Sequence, residues 1–138
     1  MRITTKGEYG LRIMIELARH HGEGPIYMGT IAENQFISKK YASQLVTSLK
    51  ATGLVRAVRG RSGGYVLSRH PSGITARDIL VALEGPTAVT ECADERVQCP
   101  RSETCPARGL WKEVSGAIDK VLVRTTLARL AGVPKAVN

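Results

Sequence analysis

The strongest constraint on the fold of this chain is a change of hydrophobic period near residue 54. Before that point, apolar residues recur at the three- and four-residue spacing of helices. After it, two short β-prone runs, LVRAV at 54–58 and YVLSR at 65–69, flank the glycine-rich segment RGRSGG. A glycine-rich turn between two such runs predicts a β-hairpin. The chain therefore places a hairpin directly after a series of helices.

Three helices are predicted ahead of the hairpin. The first lies within residues 3–20 and stops at the HGEGP segment, and the second runs from Met28 to about Gln35. The third has Ser38 as its N-cap and ends at Gly53. The residues at helical spacing that are expected to face the core are Gly10, Ile13, Met14, Leu17 and Ala18, then Ile31 and Ala32, then Ala42, Leu45, Val46 and Leu49.

Two further helices are predicted after the hairpin. One spans Thr75 to Glu84, and the other runs from about Ala107 to Leu130. Because the apolar stripe of this last helix is longer than so small a core requires, we expect it to form an interface with a second copy of the chain. The alternative, a helix that lies back on its own domain, stays open. The stripe comprises Leu110, Trp111, Val114, Ile118, Val121, Leu122 and Thr125.

The charge balance favours a polyanionic partner. The chain has 20 Lys and Arg against 12 Asp and Glu, a formal net charge of +8, which suits nucleic acid or an anionic membrane surface. Three helices followed by a hairpin form the element order of a winged helix-turn-helix, whose third helix reaches base edges in the major groove. The polar side chains at the start of that helix have suitable chemistry for phosphate and base contacts. They are Ser38, Lys39, Lys40, Tyr41 and Gln44.

The hairpin tip adds a second basic element. Arg59 and Arg61 flank Gly60, and arginines on a thin loop can follow the minor groove, where narrow A·T tracts concentrate negative potential. Either SKKY at 38–41 or the hairpin tip alone would also fit an ordinary solvated basic surface. Together, in this order and with the basic balance, they predict a protein that binds double-stranded DNA.

The predicted fold class is therefore mainly α with a small β-hairpin: a winged helix-turn-helix plus a long C-terminal dimerisation helix. The 138 residues are enough for one domain with its own core and too few for two independent ones. Within that compact domain, residues 1–86 form the DNA-binding region with the fourth helix. Residues 87–106 form a cysteine loop, and residues 107–138 form the dimerisation helix and tail.

All three cysteines fall in this one polar loop, at Cys92, Cys99 and Cys105. Their spacing lacks the short Cys-x2-Cys pairs of structural zinc sites, whereas thiolates are the usual ligands of iron–sulfur clusters. Such a cluster normally takes four ligands, so one would come from elsewhere in the chain, from a partner subunit or from solvent. Three unrelated free thiols are the remaining alternative, less favoured because free cysteine prefers apolar surroundings.

The sequence also predicts the compartment. No apolar run approaches membrane-spanning length, and the N-terminus MRITTKGEYG lacks the apolar region of a signal peptide. We therefore expect a cytoplasmic protein with no membrane partner. In a reducing compartment, clustered thiols are more typical of metal ligands or redox groups than of a disulfide.

The sequence resembles the IscR-like regulators, the iron–sulfur sensing branch of the Rrf family of bacterial winged-helix transcription factors. The wing VRGRSGGY followed by the cysteine loop is the most specific part of the resemblance. The matching stretches cover nearly the whole chain in family order and are MRITTKGEYGLR, ISKKYASQLVTSLKATGLVRAVRGRSGGY, ITARDILVALEGP, the three-cysteine loop, LW at 110–111 and TTLARL.

The resemblance implies a homodimer built on the last helix, which presents two winged-helix units to a palindromic promoter site. It also implies an iron–sulfur cluster held by the three cysteines, 2Fe–2S rather than 4Fe–4S, whose presence or redox state changes DNA affinity. On the family pattern, Ser38, Tyr41 and Gln44 lie on the reading helix and Arg59 enters the minor groove.

Four positions bear on how far the family pattern carries over. Some members use a histidine three residues after the last cysteine as the fourth ligand; here Arg108 stands there and cannot ligate. In other relatives a carboxylate at the eighth position, supplied by the partner subunit, completes the set. Glu8 is chemically able to do so, although the helix dipole alone also favours an acid there. Ser43 stands where some members place a glutamate that tunes site choice, and Phe36 replaces the small residue usual in the turn.

These inferences predict a cluster-gated transcriptional regulator, a repressor of genes for iron–sulfur biogenesis or for iron and redox homeostasis. A cluster-free repressor that senses thiols or a protein partner, such as a cysteine-metabolism regulator, is one alternative. A small electron-transfer iron–sulfur protein is another, and it would have no use for the basic wing. An enzyme is not expected, because the sequence shows no nucleophile–base pair, phosphate-binding P-loop or paired catalytic carboxylates.

Overall fold

The computed structural model describes residues 1–101 and 103–134. Its element order confirms the predicted mainly helical fold with a hairpin after the third helix. Short 3-10 helices lie at Pro71–Gly73 and Glu91–Ala93. The main elements of the described residues are α1 (Thr5–Arg19), α2 (Met28–Asn34), α3 (Lys39–Ala51), β1 (Val55–Val58), β2 (Gly64–Leu67), α4 (Ala76–Glu84), α5 (Arg108–Arg124) and α6 (Leu127–Ala131).

The core lies between α1, α2, α3, α4 and the hairpin. The residues given above as facing the core in the first three helices are buried, and Leu11 and Ile15, which widen the predicted stripe of the first helix, are partly buried against the core. Thr4 and Ser38 cap the starts of α1 and α3, and Thr75 forms a capping box with Asp78 at the start of α4. The largest fully buried side chains include Ile13, Met14, Ile31, Leu45, Leu49, Ile74, Ile79 and Leu127.

Glu84, the last residue of α4, also caps the start of α1. Its carboxylate accepts hydrogen bonds from the Thr4 hydroxyl at 2.6 Å, the Thr4 N–H at 3.0 Å and the Gly7 N–H at 2.8 Å. The two helices approach so closely that a Cβ at Gly10 would lie 2.1 Å from Leu83 Cδ1. The fourth helix is therefore fixed rigidly to the first.

The hairpin is antiparallel, with Val55 opposite Leu67 and Val58 opposite Gly64. A third segment joins it: Ile26 and Tyr65 exchange two backbone hydrogen bonds, with N···O distances of 3.0 and 2.9 Å. The chain at Ile26 runs so close that a Cβ on Gly64 would lie 2.2 Å from its carbonyl oxygen. This close approach explains a glycine at position 64, and the bridge holds the wing against the start of α2.

The predicted single helix from Ala107 to Leu130 is wrong. The helix breaks at Thr125, whose backbone is extended, and Thr126 caps a new helix by accepting from the Arg129 N–H. Backbone hydrogen bonds from Ala76 to Thr125 and from Leu127 to Ile74, both 2.8 Å, fix the break against the start of α4. The short α6 that follows belongs to the core of the winged helix, since Leu127 and Ala128 are buried.

The longer helix α5 is exposed along most of its length. Ser115 is its only buried residue, and the helix contacts α4 and the Glu91–Ala93 turn along one side. Much of the predicted apolar stripe faces solvent in the single chain, with Leu110 53%, Trp111 37%, Val114 36% and Val121 46% exposed. The stripe is therefore left uncovered, as an interface helix requires.

Among the residues that the structure describes, no helix combines the length and the apolarity that a bilayer span requires.

Candidate nucleic-acid interface and cysteine loop

The start of α3 presents polar side chains to solvent while its other face lies in the core. The Ser38 hydroxyl accepts the Tyr41 N–H at 3.0 Å and so begins the helix. Ser38, Lys39, Lys40 and Gln44 are all exposed. The predicted reading residues therefore share one accessible surface, which has the shape and polarity to enter a major groove.

Lys39 is held in place by an aromatic residue that the sequence analysis missed. Its ammonium donates to the Tyr27 hydroxyl at 2.8 Å and lies 4.9 Å from the centre of the Tyr27 ring. Tyr27 is the N-cap residue of α2, so this cation–π contact joins the starts of the two helices of the motif. The aromatic itself gave no periodic signal, because it stands alone before a helix of seven residues.

Tyr41 is more deeply packed than the other residues of this group. Its ring meets the Tyr9 ring edge to face at 6.2 Å, and its hydroxyl lies 3.4 Å from the Thr5 hydroxyl. The residue is half-buried, and these contacts fix α3 against α1. This arrangement ties the orientation of the reading helix to the first turn of α1.

The wing extends its two arginines away from the body of the domain. Arg59, Gly60 and Arg61 are exposed, and Gly60 has φ 117°, a conformation that strongly favours glycine. The Gly63 N–H closes the turn on the Gly60 carbonyl at 3.0 Å. The tip is thus a thin, exposed basic loop, and exposed arginines are suited to phosphate contacts.

The cysteine loop is fixed to α5 at its beginning. The Thr87 hydroxyl donates to Asp119 at 3.0 Å, and the Val89 N–H donates to the Ser115 hydroxyl at 2.9 Å. Arg77 on α4 also pairs with Asp119; the hydrogen bond from its guanidinium lowers the pKa of that carboxyl, and Thr87 adds to the effect. The loop, α4 and α5 therefore meet at one polar junction.

The loop is also joined to the N-terminus of the chain. The Met1 ammonium donates to the Ala88 carbonyl, close to the point where Glu84 holds the first turn of α1. This contact therefore joins the start of the loop to the segment that precedes α1.

All three cysteines are free thiols and half-buried. Cys92 lies with its sulfur 3.1 Å from the Thr90 hydroxyl, and the Cys105 N–H closes a turn on the Arg101 carbonyl at 2.8 Å. Within residues 1–101 and 103–134, no group of three or more Cys, His, Asp or Glu side chains is gathered as a metal site. The loop therefore brings the thiols into one region without assembling them.

A charged pair between the first two cysteines shapes the loop. Arg96 donates to both carboxylate oxygens of Asp94, at 3.0 and 2.8 Å, and these bonds lower the pKa of Asp94 to about 2. The predicted fourth ligand, Glu8, is exposed in the first turn of α1. It is therefore accessible to a second copy of the chain.

These features define a winged-helix DNA-binding protein with a thiol-bearing loop. The Rrf2 family profile, described as an iron-dependent transcriptional regulator, matches residues 3–132, and the chain belongs to this family. It is a DNA-binding transcriptional regulator. This agrees with the prediction that it is not an enzyme, since the relatives found are regulators.

Individual relatives match over nearly the whole chain. The chain is 46% identical to the HTH-type transcriptional regulator CymR of Bacillus subtilis over 131 residues, 95% of this chain and 90% of that protein. The solved structure of CymR, titled the global cysteine regulator of B. subtilis, matches with a TM-score of 0.82 and 44% identity, covering 98% of this chain and 99% of that one. The HTH-type transcriptional regulator IscR of Yersinia enterocolitica is 35% identical over 130 residues, 94% of this chain and 79% of that protein.

Proposed function

We propose that the chain acts as a homodimeric, cluster-gated repressor that controls genes of iron–sulfur biogenesis or of iron and redox homeostasis. The observation that carries the proposal is the position of the thiols: all three lie in the one loop that is bonded both to α5 and to the N-terminus of the reading unit. A signal read at the thiols therefore has a physical route to DNA affinity. A regulator of chromosomal genes acts in the cytoplasm, which remains the predicted compartment.

The donor chemistry of the loop fits an iron–sulfur cluster. Cys92, Cys99 and Cys105 supply three soft thiolate ligands, and Glu8 of a second copy would supply a fourth. When bound, such a cluster supplies a redox-sensitive group at this loop. The profile's description as iron-dependent supports the same class of cofactor, and 2Fe–2S stays the favoured type.

Bringing the three sulfurs together requires the loop to change shape. In the single chain, Thr87 and Val89 at the start of the loop are bonded to α5. The Arg96–Asp94 pair stabilises the middle of the loop. A loop ordered around its thiols would hold α5 and the reading unit at one angle, and an unligated loop would release that constraint. Gating thus acts on the spacing between two reading helices rather than on the helices themselves.

The uncovered face of α5 supports a homodimer on a palindromic site. Leu110, Trp111 and Val114 would pack against a second copy, and symmetric dimers of winged-helix units read two equal half-sites. In each half-site we propose that Ser38, Lys39, Lys40, Tyr41 and Gln44 face the major groove. The hairpin tip, with Arg59, Gly60 and Arg61, would then follow the adjacent minor groove.

A second candidate function is a cluster-free regulator of cysteine metabolism. The identity of 46% with CymR supports it, together with the structural match to CymR, which is described as the global cysteine regulator of B. subtilis. In that case the half-buried cysteines would sense oxidants or respond to a protein partner, without holding iron. The two candidates share the same DNA interface and differ only in what the loop binds.

Purification without oxygen separates the two candidates. We expect the wild-type protein to carry iron and sulfide, with the visible absorption of a thiolate-held cluster, and the triple variant C92S/C99S/C105S to carry neither. Glu8→Ala and Glu8→Gln test the fourth ligand, with Glu23→Ala, an exposed acid elsewhere, as the matched control. Iron-free wild-type protein after reconstitution, with oxidant-sensitive DNA binding, would contradict the first candidate and support the second.

A further inference from the structure

Phe36 combines two features that a structural role does not explain. Its side chain is 94% exposed, and its φ of 55° makes it the only non-glycine residue with a positive φ among those the structure describes. The left-handed region disfavours residues with a bulky side chain, for which glycine or asparagine is the usual choice. The ring also leaves apolar surface in water. A ring that is 94% exposed gains little from contacts within the chain to offset either cost.

Two backbone hydrogen bonds hold the turn that contains Phe36. The Phe36 N–H bonds the Glu33 carbonyl at 3.2 Å, and the Ile37 N–H bonds the Ala32 carbonyl at 3.1 Å. Ile37 packs against the core directly after it. Phe36 is therefore held in the strained conformation by the turn and cannot relax by swinging the backbone, so a strained residue here points to a function outside the chain.

The surroundings of the ring indicate a polyanion. Phe36 stands two residues before the N-cap Ser38 and three before Lys39, at the end of α3 that presents the exposed basic residues. A protein partner that covered the ring would also have to desolvate Lys39 and Lys40, which is costly without matching acids. DNA can pair the lysines and cover the ring at the same time. Its phosphates pair with the lysines, and its major groove offers one apolar group, the C5-methyl of thymine, which phenylalanine is known to contact.

We propose that Phe36 is a specificity-determining residue that packs on the C5-methyl group of a thymine at the edge of each half-site. The proposal rests on the DNA-binding role of the chain and adds to it a defined base preference. It also accounts for the retention of a large residue in a turn where a small one would fold better.

Deoxyuridine substitution tests this contact at the level of a single methyl group. The preferred operator is first selected with wild-type protein, and each thymine pair of the two half-sites is then replaced by deoxyuridine. At one thymine position, loss of the methyl group that is buried in the complex should weaken binding by about fourfold for each half-site. Replacement of the other thymines should have little effect on affinity. The variants Phe36→Asn and Phe36→Gly, which suit the positive φ, should bind the original operator more weakly and should show no deoxyuridine effect there.

The single phenylalanine of the sequence allows a direct spectroscopic test. Labelling with para-fluorophenylalanine gives one fluorine resonance, which should shift on the operator and shift differently on the deoxyuridine version. Thermal unfolding serves as the fold control, and both variants should unfold at or above the wild-type temperature.

The outcomes distinguish this proposal from the proposed function. Wild-type protein that selects no DNA sequence would overturn the function itself. Specific binding with the same affinity and the same deoxyuridine profile in Phe36→Asn would overturn only the contact. Unchanged DNA binding with lost repression in a purified transcription assay would assign Phe36 to a protein partner instead, and that also overturns the thymine contact.

Discussion

The reading unit and helix α5 differ most clearly in what they bury. In α1 and α3 most apolar side chains are buried by neighbours within the chain, whereas α5 buries one small polar residue, Ser115. All three helices have amphipathic patterns in the sequence, so the pattern alone does not determine where a helix packs. The chain therefore completes the core of its reading unit by itself and leaves the apolar face of α5 uncovered, as the proposed dimer requires.

The largest change in unfolding free energy that this comparison predicts is for a substitution in the core. Leu49→Ala removes a side chain that is 0% exposed and should reduce the free energy of unfolding by about 2–5 kcal/mol, the usual cost of a large-to-small core change. Leu110→Ala on α5 should change the unfolding free energy of dilute protein by less than about 0.5 kcal/mol. Urea denaturation at low protein concentration measures both, and equal losses would show that α5 is part of the core.

Replacing a glycine by alanine should change the stability of the protein in opposite directions in the two regions. Gly64→Ala forces a Cβ to within 2.2 Å of the Ile26 carbonyl and should destabilise the fold by about 1–3 kcal/mol. Gly116→Ala meets no atom within 4 Å in the middle of α5 and should stabilise the protein by about 0.5–1 kcal/mol. Thermal unfolding of the pair checks this, and a destabilised Gly116→Ala would mean that α5 packs closely there.

The apolar face of α5 should matter for association rather than for folding. Trp111→Ala should weaken the dimer by about tenfold to a hundredfold, because aromatic residues at the centre of an interface contribute most to affinity. Glu113 and Lys120 lie on the opposite side of the helix, since residues advance by about 100° each, and their alanine variants are the matched controls. Sedimentation equilibrium gives the dissociation constants; equal weakening in all three variants would place the interface elsewhere.

The Glu84 carboxylate, which joins α4 to α1, should make a contribution to folding stability that is lost in acid. Burial acts to raise the pKa of Glu84, but the Thr4 hydroxyl and N–H, the Gly7 N–H and the Lys6 charge together lower it below its usual value. The stabilisation is therefore present above the pKa of the unfolded chain and is lost as the pH falls through the lower folded pKa.

Glu84→Gln isolates that contribution. At pH 7 the substitution should cost about 1 kcal/mol, and the variant should lose less stability than wild type between pH 5 and pH 3. Glu33→Gln, an exposed acid on α2, serves as the control. Parallel pH profiles for wild type and Glu84→Gln would contradict the capping role.

The sequence was sufficient to predict the reading unit because its signals are local. Ser38 and Gly53 mark the limits of α3, and a helical period between them fixes its buried face. The Ile26–Tyr65 bridge was missed because a single pair of residues has no period, and it is seen only when the chain folds back. The break at Thr125 was missed for a related reason: Thr126 caps α6, but hydrogen bonds to the start of α4 decide where α5 ends.

The candidate site was predictable in membership and less so in geometry. Residue type and position identified the polar side chains at the start of α3 and at the wing tip, and all of these except Tyr41 are exposed. They gave no sign that Lys39 is engaged by Tyr27 or that Tyr41 is packed on Tyr9. For the cysteines, spacing identified the donor atoms, but their distances depend on a loop whose contacts are with α5.

The most direct test of cysteine-loop gating compares DNA affinity with and without the ligated loop. Wild-type protein reconstituted without oxygen, the same protein after removal of iron, and C92S/C99S/C105S are titrated onto one selected operator at fixed salt. An allosteric coupling of ordinary size predicts that the first differs from the other two by about 5- to 150-fold, while the apo protein and the triple variant agree. Identical affinities for all three, on every operator selected, would contradict gating by this loop.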